Sequence, residues 1–130
     1  MNKYVYPAIF TEENGCYSIS FPDLDNCYTC AENLDESLEM AEDVLALTLY
    51  GYEKNKKPIP TPSKLTDISV DSNSFVNYVK ADTLEYRKMY NNKSVKKTLS
   101  IPEWLNEISI EMNLNFSQIL QEALIKRINL

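Results

Sequence analysis

The sequence predicts an α+β protein, in which a small antiparallel sheet carries one long helix and a strand-helix-helix module follows. Three observations support this fold class. Short runs of alternating character fill the first 31 positions, a long amphipathic pattern of helical period comes next, and one strand pattern with two short helical patterns closes the chain. Alternation with period two indicates strands, whereas apolar spacings of three and four residues indicate helices.

The first two strand patterns predict a β-hairpin. Runs 4–10 and 16–21 are rich in aromatic and β-branched residues. Between them stands Asn14-Gly15, a pair typical of tight hairpin turns because both residues tolerate a positive φ. Turn-forming residues follow, and a third short strand is predicted over 27–31.

A long helix is predicted to begin after Asn33. This residue can accept a hydrogen bond from the first helical turn, and Glu36 three positions later completes a capping-box pattern. The helix is predicted to end between Gly51 and Lys57, because Pro58 cannot continue it. Its apolar side is formed by Leu34, Leu38, Ala41, Leu45 and Leu49.

A proline-rich connector follows this helix. Residues 58–63 contain three prolines and are predicted to be extended. Run 75–81 predicts a fourth strand, and run 84–90 predicts a short amphipathic helix. Asn91-Asn92 marks a predicted boundary, so that the first domain comprises residues 1–90 and the second comprises residues 91–130.

The negative charge is confined to the front of the chain. The net charge is -6, but residues 1–53 carry 11 acidic side chains against Lys3 alone, a net charge of -10. Residues 54–90 have a net charge of +3 and residues 91–130 one of +1. Such a segment should repel nucleic acid and attract a basic partner. A solvated surface that keeps the protein soluble is the alternative.

Neither a metal, a cofactor nor catalytic chemistry is expected. Cys16, Cys27 and Cys30 include one Cys-x-x-Cys, but a zinc site needs four ligands, and the chain has no His and no second pair. Two-metal hydrolysis needs converging carboxylates, whereas the acidic residues here lie in a turn or spread around a helix. No His is available as a general base. We therefore expect a non-enzymatic protein without catalytic residues.

The protein is expected to be cytoplasmic and independent of the membrane. No run approaches the roughly 18 apolar residues of a membrane span. The first residues also lack the apolar core of a signal peptide.

The second domain is predicted to form a homodimer. Residues 95–101 alternate as a strand with Leu99 and Ile101 on one face, Pro102 begins a helix that runs to about residue 112, and Asn115 caps a second helix. One strand and two short helices cannot bury these apolar residues alone. Two copies can, when their strands pair antiparallel as in ribbon-helix-helix proteins, which read the DNA major groove with a two-stranded ribbon.

DNA-binding residues follow from this arrangement. Outward side chains of the ribbon would read base edges, and the second helix would bind a backbone phosphate at its positive end. A helical-hairpin dimer without DNA is the alternative, since the net charge of this domain is only +1. The predicted base contacts are Lys96, Thr98 and Ser100, and the predicted backbone contacts are Lys93, Lys97, Asn115, Phe116 and Ser117.

Both domains resemble HicB antitoxins of toxin-antitoxin systems. In the first domain, the resemblance rests on Phe21-Pro22-Asp23-Leu24 after the hairpin and on the helix start at residues 34–41. In the second domain, residues 99–105 and 115–124 are similar to the ribbon-helix-helix segment of many HicB proteins. The chain departs from the family pattern at Asp25-Asn26, where Pro-Gly is usual, and at residues 31–33, where Gly-x-Thr is usual.

This resemblance implies a fold and two partners. The first domain is expected to have a partial ribonuclease-H-like fold and to bind a HicA-type toxin, a small basic protein that cleaves mRNA. The second domain is expected to repress the operon that encodes both proteins. Assembly beyond the dimer, through the first domain, stays open. The candidate toxin-binding residues are Asp23, Asp25, Asp35, Glu36, Glu39, Glu42 and Asp43.

Two other functions fit the same residues. A ribbon-helix-helix transcriptional regulator could use its first domain to sense a different protein or a ligand. A metal-dependent nuclease is the second alternative, because a ribonuclease-H-like fold can support that chemistry.

Overall fold

The computed structural model describes residues 2–128 and divides the chain into two compact units. The N-terminal unit comprises residues 1–93 and the C-terminal unit residues 94–130. This division lies three positions after the boundary predicted from the sequence.

A four-stranded antiparallel sheet forms the framework of the N-terminal unit. Its strands stand in the order β3-β2-β1-β4, so that the first strand is central and the last is an edge. Every neighbouring pair is antiparallel, which confirms the predicted sheet. The strands are β1 (Lys3–Glu13), β2 (Cys16–Ser20), β3 (Tyr28–Ala31) and β4 (Ser74–Asp82).

The β1–β2 hairpin turns where the sequence predicts. Asn14 and Gly15 have φ angles of 53° and 83°, and the flanking residues Glu13 and Cys16 pair across the turn. Positive φ at both central positions matches the right-handed twist of the two strands, which is why Asn-Gly is favoured here.

The long helix α1 (Leu34–Lys54) begins with a side-chain cap. The Asn33 Oδ1 atom accepts a hydrogen bond of 2.8 Å from the Glu36 amide, as predicted. The return bond of a capping box would reach the Asn33 amide, but the Glu36 carboxylate instead accepts from the Glu32 amide, at 3.2 Å.

The core lies between one face of the sheet and α1. Ala41, Leu45 and Leu49 of the helix are fully buried, as predicted. Leu34 and Leu38 were assigned to the same side but are 49% and 41% exposed, so this part of the prediction is wrong. The sheet contributes Tyr6, Ala8, Phe10, Ile19, Ala31, Val79 and Ala81.

A helix that follows the sheet completes the N-terminal unit. This helix, α2 (Leu84–Tyr90), occupies the residues for which a short amphipathic helix was predicted. Tyr86 of α2 stacks on Tyr50 of α1 and on Tyr90, with ring centroids 6.2 and 6.1 Å apart. The connector before β4 contains a single 3-10 turn, Leu65–Asp67.

The C-terminal unit contains two helices, α3 (Glu103–Glu111) and α4 (Phe116–Ile128). Pro102 was predicted to be the first residue of this helix, but it is the N-cap residue, and α3 begins one residue later. The strand predicted over 95–101 is absent from the described chain, where residues 92–102 have no regular structure. A strand is defined by hydrogen bonds to a neighbour, and none of residues 2–128 pairs with this segment.

Candidate protein-binding and DNA-binding surfaces

An acidic surface with apolar side chains covers the first turns of α1. The carboxylates of Asp35, Glu39 and Glu42 are exposed and make no hydrogen bond or ion pair within residues 2–128. Leu34 and Leu38 lie beside them and are 49% and 41% exposed. We call these five residues the α1 surface. An apolar centre with charged neighbours is the usual composition of a protein-binding surface.

Two other candidate acidic residues on α1 make contacts inside the unit. Glu36 belongs to the helix cap described above, and Asp43 accepts a hydrogen bond from the Tyr86 hydroxyl of α2. Burial, together with this bond to Asp43, raises the pKa of Tyr86 to about 12. Asp43 therefore joins the two helices of the unit, and its carboxylate is less available to a partner than those of the α1 surface.

The last two candidate acidic residues, Asp23 and Asp25, lie in the turn after β2 and differ in their contacts. Asp23 accepts hydrogen bonds from the amide and hydroxyl of Ser63, at 2.9 and 2.5 Å. It thereby holds the proline-rich connector against this turn. Asp25 is exposed and has no hydrogen-bond partner in the described part of the chain. Asp25 is thus free for an external contact, whereas Asp23 has a structural role.

Glu53 was not among the predicted site residues, but its carboxylate is the most connected of the unit. It accepts from the Tyr4 hydroxyl at 2.5 Å and from Thr83 Oγ1 at 2.9 and 3.0 Å, and it forms an ion pair of 3.3 Å with Arg87. Its side chain is only 8% exposed. Burial and the bond to Glu53 raise the pKa of Tyr4 to about 12.

A sequence signal for Glu53 does exist. A carboxylate in the last turn of a helix faces the negative end of the helix dipole, which disfavours it unless another group compensates. Here Arg87 and two hydroxyl donors compensate. The network fastens the end of α1 to β1, to the end of β4 and to α2.

The candidate DNA-binding residues lie in two exposed segments, the one that precedes α3 and the one at the start of α4. Lys93, Lys96, Lys97, Thr98 and Ser100 are exposed in the extended segment before α3. At the start of α4, the Asn115 Oδ1 atom accepts from the Gln118 amide at 3.1 Å, which confirms the predicted cap. The amides of Phe116 and Ser117 donate to no acceptor within residues 2–128.

The apolar side chains of the C-terminal unit are largely uncovered. Trp104 is 63% exposed, Leu99 63% and Ile108 47%. Between residues 94 and 128, only Ser109 is buried. An isolated folded unit rarely exposes so much contiguous apolar surface, so another surface is expected to cover it. The other exposed apolar residues include Val95, Ile101, Leu105, Ile110, Met112, Phe116, Ile119, Leu124, Ile125 and Ile128.

The cysteines and acidic residues do not assemble into a metal centre in the described chain. Among residues 2–128, no group of three or more potential ligands is close enough to hold an ion. Cys27 is buried, which raises the pKa of its thiol, while Cys16 and Cys30 are exposed. Within the same residues, no helix is both long and apolar enough to span a membrane.

Comparison with known proteins identifies the family. Residues 3–71 match the profile described as the HicB-like antitoxin of bacterial toxin-antitoxin systems. The chain belongs to the HicB-like antitoxin family. This match confirms the resemblance of the first domain to HicB antitoxins.

Similar antitoxins share part of the sequence. Over 58 residues, the HicB-like chain is 33% identical to Antitoxin HicB 2 of Photorhabdus laumondii subsp. laumondii. This stretch covers 45% of the chain and 42% of that protein. The chain thus spans less than half the length of this relative.

Solved structures extend the similarity to the whole fold. A chain in the toxin-antitoxin complex from Streptococcus pneumoniae is 28% identical, with a TM-score of 0.63 over 96% of this chain and 99% of that one. A chain in the HicA3 and HicB3 toxin-antitoxin complex is 19% identical, with a TM-score of 0.52 over 61% of this chain and 99% of that one. The second likeness concerns the fold alone.

Proposed function

We propose that this HicB-like antitoxin neutralises a HicA-type toxin through the α1 surface and represses its own operon through its C-terminal unit. The observation that supports the first part is the α1 surface itself. Three carboxylates without internal partners stand beside two exposed leucines, in a unit whose first 53 residues have a net charge of -10. A small basic RNA-cleaving toxin is the complementary partner, because RNA-binding surfaces are positively charged.

The two kinds of residue on this surface have different tasks. Asp35, Glu39 and Glu42 steer the toxin into the encounter, which makes association fast and sensitive to salt. Leu34 and Leu38 are covered in the complex and slow its dissociation, since apolar side chains at the centre of an interface contribute most of the affinity. Neutralisation follows if the bound antitoxin covers the basic surface that the toxin uses for RNA.

Charge-neutral variants of the full chain test this proposal. In Asp35→Asn/Glu39→Gln/Glu42→Gln, the association rate with the HicA-type toxin, measured at low salt, is expected to fall about tenfold. The matched control Glu13→Gln/Asp67→Asn/Asp71→Asn removes the same charge from exposed positions elsewhere in the N-terminal unit and should change the rate less than about threefold. Equal effects of the two triple variants would contradict a role for the α1 surface.

The apolar half of the surface has its own test. Leu34→Ala/Leu38→Ala should leave the association rate nearly unchanged and raise the dissociation rate about tenfold or more. Both side chains are about half exposed in the free chain, so the unfolding midpoint should stay close to that of the original protein. An unchanged dissociation rate in the folded variant would contradict the proposal that these leucines are covered in the complex.

The second part of the proposal concerns DNA. Support comes from the exposed apolar residues of the C-terminal unit and from the free amides at the start of α4. Two copies that pair their 95–101 segments as a ribbon would cover the apolar residues and present Lys96, Thr98 and Ser100 to the major groove. The α4 amides would then bind a phosphate.

The proposal assigns binding roles only. It gives the chain no catalytic residue, no metal and no cofactor. Its two targets, a toxin that acts on mRNA and the operator of the encoding operon, place the protein in the bacterial cytoplasm.

A further inference from the structure

The strand β4 is a long edge of the sheet, and among residues 2–128 no strand pairs with it on its outer side. It has nine residues and pairs only with β1, whereas the opposite edge strand β3 has four. Proteins usually protect such long edges, because the free backbone groups can pair with another strand. Within residues 2–128, no backbone hydrogen bond beyond the ladder involves the amides of Val76, Tyr78, Lys80 or Asp82.

Hydrogen bonding along β4 alternates between residues, and this alternation shows which backbone groups of the strand are unpaired. Two bonds extend the β1–β4 ladder at its ends, one from the Thr83 amide to the Asn2 carbonyl and one from the Glu12 amide to the Asn73 carbonyl. Antiparallel pairs alternate between bonded and non-bonded residues, so the odd-numbered residues of β4 point their backbone groups towards β1. The even-numbered residues 76, 78, 80 and 82 therefore point theirs away from the sheet.

The position of Pro7 in β1 agrees with this alternation. It pairs with Tyr78, which is one of the non-bonded pairs, so the missing N–H of the proline removes no bond to β4. On its other side, the β2 ladder ends at Ile9 and Ser20. A proline is tolerated inside a strand only where the ladder does not need its amide.

We propose that β4 is an interface between two copies of this chain, whose β4 strands pair antiparallel about Tyr78. The eight strands then form one continuous sheet. This register is the one that pairs all nine residues of each strand, since Ser74 then lies opposite Asp82 of the other copy. It also matches the free groups, because Tyr78 bonds to its counterpart and Val76 bonds to Lys80.

The side chains favour a second copy as the occupant. In this register no two like charges lie opposite each other, since Lys80 faces Val76 and Asp82 faces Ser74. The charges of β4, Lys80 and Asp82, cancel, so two chains that each carry a net charge of -6 can approach here. A basic partner would instead be drawn to the acidic α1 surface. Tyr78, 46% exposed, would pack against its own counterpart, and aromatic pairs across strands stabilise a sheet.

Proline substitutions on the two edges test this interface. Tyr78→Pro removes one outward-pointing amide from β4 and leaves the β1 ladder intact. The matched control is Tyr28→Pro, because the bond from the Phe21 amide to the Cys27 carbonyl shows that Tyr28 also points its backbone away from the sheet. Molecular mass is measured by sedimentation on the full chain carrying Ile108→Asp, because this substitution on the exposed apolar side of α3 should keep the C-terminal units from pairing. The mass of Tyr78→Pro should be half that of this reference chain, and the mass of Tyr28→Pro should be unchanged.

A second pair of variants does not depend on proline. Tyr78→Lys places two positive charges opposite each other and should also halve the mass, whereas Tyr28→Lys should not. An unchanged mass in a folded Tyr78→Lys variant, or an equal loss in both Lys variants, would overturn the proposed interface. In the Ile108→Asp background the halving reports on β4 alone, so this result is independent of the proposed toxin and operator binding.

Discussion

The carboxylate of Asp23 accepts two hydrogen bonds from Ser63, one from the amide at 2.9 Å and one from the hydroxyl at 2.5 Å. These bonds join the turn after β2 to the proline-rich connector across 40 positions of sequence. The Tyr6 hydroxyl donates to the Pro60 carbonyl of the same connector. The connector is thus a fixed part of the N-terminal unit.

The first prediction concerns this connector. Asp23→Ala should lower the free energy of unfolding by about 1–3 kcal/mol, because it removes the acceptor of two partly buried donors. The exposed neighbour Asp25 offers a matched control, and Asp25→Ala should change stability by less than about 0.5 kcal/mol. Urea unfolding of the two variants measures the difference. Equal stabilities would mean that the bonds to Ser63 do not hold the connector.

The second prediction concerns alkaline pH. Tyr4 and Tyr86 have pKa values raised from 10.0 to about 12, chiefly by burial and then by their bonds to Glu53 and Asp43. The folded state therefore favours the neutral hydroxyl, and this stabilisation is complete below about pH 10 and is lost as the pH rises towards about 12. Tyr4→Phe and Tyr86→Phe should each flatten the decline of stability across this window.

Tyr28 provides the control for that measurement. Its side chain is 68% exposed and makes no hydrogen bond in the described chain. Tyr28→Phe should leave the pH dependence as it is. A decline equally steep in all three variants would contradict the assignment to Tyr4 and Tyr86.

The third prediction concerns pairing of the C-terminal units. Trp104 is the only tryptophan of the chain and is 63% exposed in a single copy. Pairing should cover it, so its fluorescence should shift to the red when the full chain is diluted below the dissociation constant. Ile108 lies one helical turn after Trp104 on the same side of α3, so Ile108→Asp should give the red-shifted emission at every concentration. Ile110→Asp, on another side of α3, is the control. The same emission at all dilutions of the original protein would argue against pairing.

The fourth prediction separates base contacts from phosphate contacts. Lys96→Ala/Thr98→Ala/Ser100→Ala should abolish the preference for operator over scrambled DNA, since each base contact contributes roughly 1–3 kcal/mol of discrimination. Lys93→Ala/Lys97→Ala should weaken both DNAs alike and make the affinity less dependent on salt. Retained preference in the triple variant would show that another face reads the sequence.

Local patterns predicted the elements of the N-terminal unit well. The Asn14-Gly15 turn and the Asn33 cap each depend on neighbours in sequence, and both are observed. The exposure of Leu34 and Leu38 was missed because periodicity fixes which residues share a side of a helix but not how much of each side chain the rest of the fold covers.

Contacts between residues far apart in the sequence could not be predicted from local patterns. The bonds of Asp23 to Ser63 and of Asp43 to Tyr86 span 40 and 43 positions, and no local pattern distinguishes these carboxylates from the free ones of Asp35 and Glu39. The 95–101 segment is a different case. Its alternation is clear, but a strand needs a neighbour, and the part of the chain that the structure describes pairs none with it.

The division of labour between the two units can be measured with one fragment. Residues 1–93 form a compact unit with its own core, and the proposed function places neutralisation there. We expect this fragment, once shown by circular dichroism to be folded, to stop RNA cleavage by the HicA-type toxin at a one-to-one ratio. Undiminished cleavage in the presence of the folded fragment would contradict the account and would move neutralisation to the C-terminal unit or to the whole assembly.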